Sequence, residues 1–240
     1  MIRQSSVADV NAESSGIPHE QPCDHLSMTL ISLNTGLPRE VRVDGQTVRT
    51  SIWKSPREGR LRVTSLNVDG DQQSDLTAHG GASKALYCYP SEHYEYWSRE
   101  LPGADLPWGV FGENLTTRGL LETDVCIGDR FQVGTAEFRV TQPRQPCFKL
   151  AIRFDREDMI GRFLASGRSG FYLAVVREGD IASGDPIAFT SRAPDSLSVS
   201  SIVALRANDQ GKEEELRRAA DLTDLSGGWR EHFRKRLAER

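Results

Sequence analysis

The sequence predicts a mainly β protein with some α: a closed β-barrel followed by a small three-helix C-terminal bundle. Three observations carry that expectation. From Met28 to about residue 190, short apolar–polar alternations are separated by turns containing Gly and Asp. One such unit occurs twice, as Val125-Cys126-Ile127-Gly128-Asp129-Arg130-Phe131-Gln132-Val133 and as Ile181-Ala182-Ser183-Gly184-Asp185-Pro186-Ile187-Ala188-Phe189. After Pro194 the apolar period becomes helical. Many short strands with tight turns favour a barrel, because closure leaves no free sheet edge.

The elements follow in order. Residues 1–27 are polar and aperiodic and read as a flexible tail. Met28-Thr29-Leu30-Ile31-Ser32-Leu33-Asn34 is the first strand, where the folded part is expected to begin. Asp44-Gly45 between Val41–Val43 and Gln46–Thr50 is a hairpin signal. Ser51–Lys54 and Gly59–Val63 extend the strand pattern, and Asp124–Thr141 is the clearest meander. Two helices interrupt the sheet. One starts at Pro90-Ser91, with Ser91 as its N-cap and Tyr94, Trp97 and Leu101 on one face. The other spans Asp155 to Ala165 and ends at Gly167. The C-terminal faces are Val199/Ile202/Val203/Leu205, Leu216/Ala219/Ala220 and Trp229/Phe233/Leu237. These give a tail at 1–27, a barrel domain at 28–193 and a helical domain at 194–240, the last too small to be stable alone.

Composition narrows the function. The 240 residues carry a formal net charge of −4, with 38% hydrophobic and 27% charged residues, as in soluble globular proteins. The C-terminal segment is rich in arginine, yet 197–240 balances nine Lys/Arg with eight Asp/Glu. That describes a solvated helix face rather than a nucleic-acid footprint. No apolar run reaches the length of a membrane span, and no secretory signal pattern is present, so a cytoplasmic location is expected. The cysteines Cys23, Cys88, Cys126 and Cys147 form no CxxC pair, which argues against structural zinc. P-loop, GxSxG, HExxH and dinucleotide-binding patterns are missing.

Four clusters remain. Cys147 follows Gln142-Pro143-Arg144-Gln145-Pro146, a segment stiffened by two prolines, with Arg144 and Lys149 close by. Nearby cations favour thiolate, the form that attacks electrophiles or binds a soft metal. A small buried hydrophobe is the equally weighted alternative. In Ala78-His79-Gly80-Gly81-Ala82-Ser83-Lys84 the glycines expose backbone N–H groups that can hold an anion beside His79 and Lys84, or simply make a tight turn. Phe111-Gly112-Glu113-Asn114 offers a close backbone approach, a carboxylate and an amide able to address a heterocycle edge, or a capped structural turn. Arg230, Arg234, Lys235, Arg236 and Arg240 are the basic helical group discussed above. His93 sits on the amphipathic helix and reads as structural.

Read together, these residues carry a resemblance. Leu66–Asp71, His79-Gly80-Gly81, Tyr89–Tyr94, Phe111–Leu115, Ile127-Gly128-Asp129 and Gln142–Cys147 occur in an order and spacing that resembles the MOSC domain, named for the C-terminal domain of molybdenum-cofactor sulfurases. The likeness covers roughly residues 28–193 and is to the stand-alone bacterial branch associated with 6-N-hydroxylaminopurine resistance, in which a small helical domain often follows. The resemblance implies a MOSC-type barrel and a molybdenum–molybdopterin cofactor (Moco), with Cys147 as metal ligand and catalytic residue. It implies cofactor-binding roles for His79, Gly80, Gly81, Lys84, Asn114 and Arg144, the cations toward the phosphate and Asn114 toward the pterin. The implied reaction reduces N-hydroxylated compounds such as hydroxylaminopurine to amines and needs no pyridoxal phosphate. Lacking an iron–sulfur or flavin signature, the chain is expected to take electrons from a separate donor protein, with the helical tail as a candidate docking surface. A homodimer is the oligomeric state implied. A carrier that holds molybdopterin or sulfur on Cys147 without turnover is the competing reading.

Overall fold

The computed structural model describes residues 28–74, 80–208 and 212–240. The expected tail with Cys23, and the expected site residue His79, lie outside the described residues. Twelve strands and six α-helices are present among the described residues. β1 (Thr29–Thr35) leads to the hairpin β2 (Arg39–Val43) and β3 (Gln46–Thr50). Asp44 and Gly45 both have positive φ, 48° and 76°. That is the two-residue turn expected of Asp-Gly, whose twist matches the flanking strands. Ser51–Lys54 is a correction: it forms no strand but an extended link to β4 (Ser55–Pro56). β5 (Leu61–Val63) and β6 (Leu86–Pro90) follow.

β6 pairs in parallel with β7 (Leu115–Arg118). A parallel pair needs a crossover, and α1 (Glu92–Glu100) lies within it. Ser91 stands at the N-cap position, but its hydroxyl donates to Glu92 and makes no capping bond. β8 (Arg130–Val133) and β9 (Ala136–Pro143) form the expected meander. Two short helices come next, α2 (Phe148–Phe154) and α3 (Met159–Ser166). Gly167 ends α3 in the left-handed conformation at φ 66°. β10 (Phe171–Arg177), β11 (Gly179–Ile181) and β12 (Ile187–Ser191) complete the sheet structure. The chain ends with α4 (Val199–Ala207), α5 (Glu213–Asp221) and α6 (Gly227–Ala238).

The main sheet runs β12-β8-β9-β10-β6-β7-β1-β4 and does not close into the expected barrel. The two repeated units meet at one edge, where β12 pairs antiparallel with β8 and Phe189 lies opposite Phe131. Their Gly-Asp turns share one device. Asp129 accepts from the Cys126 N–H, and Asp185 from the Ala182 N–H, each at 2.9 Å. Closure would join β12 to β1. There the backbone makes only a local contact, with Leu30 donating to Asp185 O, Gly184 to Leu30 O and Ile187 to Met28 O. Thr29 and Pro186 form an isolated bridge there, and the ladder extends no further among the described residues.

Two cores lie on opposite faces of β6. Leu86 and Cys88 point into an aliphatic core with β1, β7, β9 and β10, whereas Tyr87 and Tyr89 point into an aromatic core with Tyr94, Trp97, Phe111 and Phe163. All five β6 residues are therefore buried. The aliphatic core continues without a break into Ile202, Leu216, Trp229 and Phe233 of the C-terminal helices. Those helices are stabilised by the sheet they cover, which answers their small size. No helix among the described residues is long and apolar enough to cross a membrane.

Candidate functional site

The site forms where the end of β9 meets α2. β9 finishes at Pro143, and Arg144–Pro146 turn the chain before α2 starts at Phe148. Cys147 is the extended residue immediately before that helix, at φ −132° and ψ 173°. It is half-buried, while Cys88 and Cys126 are buried free thiols. Burial pushes the Cys88 thiol up to about 12, which removes it from thiolate chemistry at neutral pH.

Cys147 lies on the wall shared by two cavities. The inner one, about 110 Å³, is lined by Ser51, Lys54, Asp71, Lys84, Asn114, Arg144 and Lys149 among others. The outer one, about 630 Å³, lies between the sheet and the C-terminal helices, with Gln142 on one side and His232 on the other. Lys84, Gln145, Cys147 and Tyr172 belong to both.

Among the described residues that line the inner cavity, positive charge predominates, with four cations and one carboxylate. Arg144 is only 7% exposed. Its Nη1 donates to Phe111 O at 2.8 Å and lies 3.4 Å from the Tyr87 hydroxyl, and the guanidinium sits over the rings of Tyr87 and Phe163. Burial alone would lower its pKa, but the neighbouring Tyr87, Tyr172 and Cys147 outweigh that and hold it above the ordinary arginine value. It makes no salt bridge among the described residues. The ammonium of Lys149, a residue 8% exposed, makes no hydrogen bond or ion pair with the described residues. Lys54 differs. Burial lowers its pKa, and Asp71 offsets this by pairing with its ammonium.

Asp71 fastens this wall. One oxygen takes Lys54 and the Gly36 N–H, and the other takes the Asn114 amide at 3.0 Å. Asn114 also donates to Asn34 O, and its oxygen accepts from the Tyr87 N–H. Its amide therefore locks the cavity wall together. Gly112, at φ 84°, permits the approach expected of it, since a Cβ there would stand 2.9 Å from Ile52.

Of the expected site residues, the structure brings Cys147, Lys84, Asn114 and Arg144 together around the inner cavity and places Gly80 on the outer one. Gly81 lines neither. It has φ 93°, and its N–H donates to Gln73 at 2.9 Å. Lys84 is carried by a single 3-10 turn, Ala82–Lys84, tied to β9 by Thr141 donating to Ser83 O. Ser51, Lys54, Asp71 and Lys149 also line the inner cavity, although the sequence gives the first two only as strand residues, Asp71 only within the Leu66–Asp71 motif and Lys149 only as a charge near Cys147.

Glu113 is fully buried beside this wall. Oε1 accepts from the Tyr94 hydroxyl, the Gly109 N–H and the Thr116 hydroxyl, while Oε2 has no partner among the described residues. Burial raises its pKa above 4.5, more than those hydrogen bonds lower it. A raised carboxyl stabilises the fold fully below 4.5, and that contribution is lost as pH rises through the folded value. Glu113→Gln is expected to flatten this slope while keeping the bonds to Oε1. Urea midpoints measured against pH check it, and parallel curves for the two proteins would contradict it.

The residues fit a large anionic cofactor that carries its own metal ligands. Among the described residues the Lys149 ammonium has no ion-pair partner, and Ser51 Oγ and Gln142 Oε1 are buried at the cavity walls without hydrogen-bond partners. Among the described residues no group of three or more His, Cys, Asp or Glu is arranged to hold a metal ion. A metal here needs most of its ligands from elsewhere, and Cys147 is the one soft donor on offer.

Comparison with known proteins agrees with this architecture. Residues 75–188 match the MOSC domain, and residues 197–240 match the YiiM-like, 3-alpha helix domain. The uncharacterized protein YflK of Bacillus subtilis is 38% identical over 87% of this chain and 94% of its own length. The crystal structure of YiiM from Geobacillus stearothermophilus superposes with a TM-score of 0.74 at 36% identity, covering 88% of this chain and 99% of that one. A protein of Gibberella moniliformis named reductase is 32% identical over 68% of this chain, a stretch that spans 29% of its length. The chain belongs to the MOSC family, and its C-terminal residues form the YiiM-like three-helix domain. MOSC domains are associated with the molybdenum cofactor.

Proposed function

We propose that this protein reduces N-hydroxylated compounds to amines with a molybdenum–molybdopterin cofactor held through Cys147. The observation that carries the reading is the position of Cys147, a half-buried thiol between a cationic inner cavity and a roomier outer one. The relation to a fungal protein named reductase supports the reductive direction.

When bound, the cofactor would supply the two-electron redox chemistry that removing the hydroxyl oxygen requires. The chain does the rest. Arg144, Lys149 and Lys84 hold the anionic group, with a buried guanidinium suited to phosphate oxygens. Ser51 and Gln142 offer polar atoms that the protein leaves unused. Cys147 adds one sulfur to the metal. The outer cavity admits the substrate from the side of the C-terminal helices. Each turnover consumes two electrons and two protons, with the hydroxyl oxygen leaving as water. The electrons come from a separate donor protein.

The test is expression in a cofactor-competent host, followed by assay of hydroxylaminopurine and benzamidoxime with an artificial electron donor. Conversion to adenine and benzamidine is expected. Bound molybdenum with no conversion would replace the proposal by the carrier role. Cys88→Ser and Cys126→Ser are expected to keep the metal and to cost about 1 kcal/mol of stability each. Molybdenum analysis and urea unfolding check this, and metal loss in either variant would move the ligand away from Cys147.

A further inference from the structure

The first turn of α6 opens into the outer cavity, where Ser226, Gly227 and Gly228 form part of the wall. The helix start is fixed there by the Ser226 N–H, which donates to Thr141 O at 3.2 Å. The Ser226 side chain makes no capping bond, and the first turn holds no acidic residue. The N–H groups of Gly227 and Gly228 have no acceptor among the described residues. These donors stand at the positive end of the helix dipole. Glycine is a poor helix former, yet packing requires it at neither position: a Cβ at Gly227 or Gly228 would meet nothing within 4 Å. The space in front of the donors is open.

The surroundings carry the same sign of charge. Lys84 and Arg206 line this cavity, and among the described residues no carboxylate does. Gln142 gives an independent mark of a ligand. It is 5% exposed, and its Oε1 is buried in the cavity wall with no hydrogen-bond partner among the described residues. Thr141 brings these groups together. Its carbonyl holds the start of α6, its hydroxyl donates to Ser83 O beside Lys84, and Gln142 follows it in β9. Backbone donors at a helix N-terminus suit phosphate oxygens. The Gln142 oxygen suits a hydroxyl carried by the same ligand.

We infer that the first turn of α6, with Lys84, Arg206 and Gln142, forms a site for a phosphate monoester, distinct from the cationic inner cavity. Two ligands carry that group, the cofactor itself and a nucleotide. Binding it needs neither metal nor turnover, so the site stands independently of the proposed reduction. It gives the three-helix domain a binding role beyond covering the aliphatic core.

The test places a negative charge in the open space before the donors. Gly227→Asp and Gly228→Asp are expected to keep at least the wild-type urea midpoint, because an acidic residue suits the first turn of a helix. Inorganic phosphate is titrated calorimetrically into the full chain made in a host lacking the cofactor. Binding is expected, with the affinity of one site at least ~10-fold weaker in both aspartate variants, as repulsion at short range requires. Gly228→Ala, which adds no charge, is expected to stay within ~3-fold of wild type. AMP and adenosine titrated into the chain from a cofactor-competent host distinguish the two sources. AMP binding at least ~10-fold tighter than adenosine assigns the site to a nucleotide. Equal behaviour of the two, with phosphate bound only by the cofactor-free chain, assigns it to the cofactor's own phosphate. No phosphate binding to the cofactor-free chain, or wild-type affinity at every site in both aspartate variants, would overturn the inference.

Discussion

Replacing Cys147 with serine is expected to abolish reduction of N-hydroxylated substrates while the chain stays folded. The loss should be at least ~100-fold, since residues that merely orient metal ligands already cost 10–100-fold when removed. Serine fits where cysteine was. Cys147 is half-buried, and its backbone is extended at the start of α2, a geometry serine adopts readily. Helix α2 depends instead on Leu150 and Phe154 in the aromatic core. Circular dichroism and urea unfolding should therefore match wild type within about 1 kcal/mol. Activity equal to wild type would refute the ligand role. Unfolding would show that the thiol is structural, the alternative that the sequence left open.

Asp71→Ala is expected to be the most damaging substitution for the architecture of the site. Its carboxylate side chain is 3% exposed and pairs with Lys54, itself 8% exposed. The same group holds the Asn114 amide and the Gly36 N–H. Removing one partner of a buried pair leaves an uncompensated charge and costs about 3–5 kcal/mol. The pH dependence adds a signature. Burial lowers the Lys54 pKa below 10.5, so the folded state binds fewer protons than the unfolded state between those values. Stability of the variant should thus recover as pH rises toward 10.5. The double variant Lys54→Met, Asp71→Leu should regain the part of the loss due to the unpaired ammonium, but not the part due to the Asn114 amide and Gly36 N–H, which leucine leaves without an acceptor. A destabilisation under about 1 kcal/mol in Asp71→Ala would show that the pair does not fasten the wall.

Much of this was legible in the residues, for physical reasons. The Asp-Gly step dictated the β2–β3 turn, and the repeated Gly-Asp units became two strands that pair with each other. The faces on α5 and α6 pointed where their period placed them, as did Val199, Ile202 and Leu205 of α4, whereas Val203 lies outside the core. Other features were hidden. α2 carries Phe148, Leu150 and Phe154 over barely two turns, too short for a helical period to stand out. Barrel closure was not legible either: β12 and β1 meet only through the isolated Thr29–Pro186 bridge, which no local alternation signals. At the site, Cys147 and Arg144 were visible because prolines and charge mark their segment. Lys54 and Asp71 were not, because each looks like an ordinary surface charge until the chain folds them together across 17 residues. Asn114 stood out in its motif, yet its hydrogen bonds to Asn34, Asp71 and Tyr87 come from distant segments that no local pattern joins.

The central claim is that Cys147 holds a molybdenum cofactor in the cationic cavity. The most direct measurement is the molybdenum and pterin content of the wild-type chain and of Cys147→Ser, both purified from a cofactor-competent host. About one molybdenum and one pterin per wild-type chain are expected, with the metal lost from Cys147→Ser. No molybdenum in the wild-type chain, or equal molybdenum in both, would contradict the account.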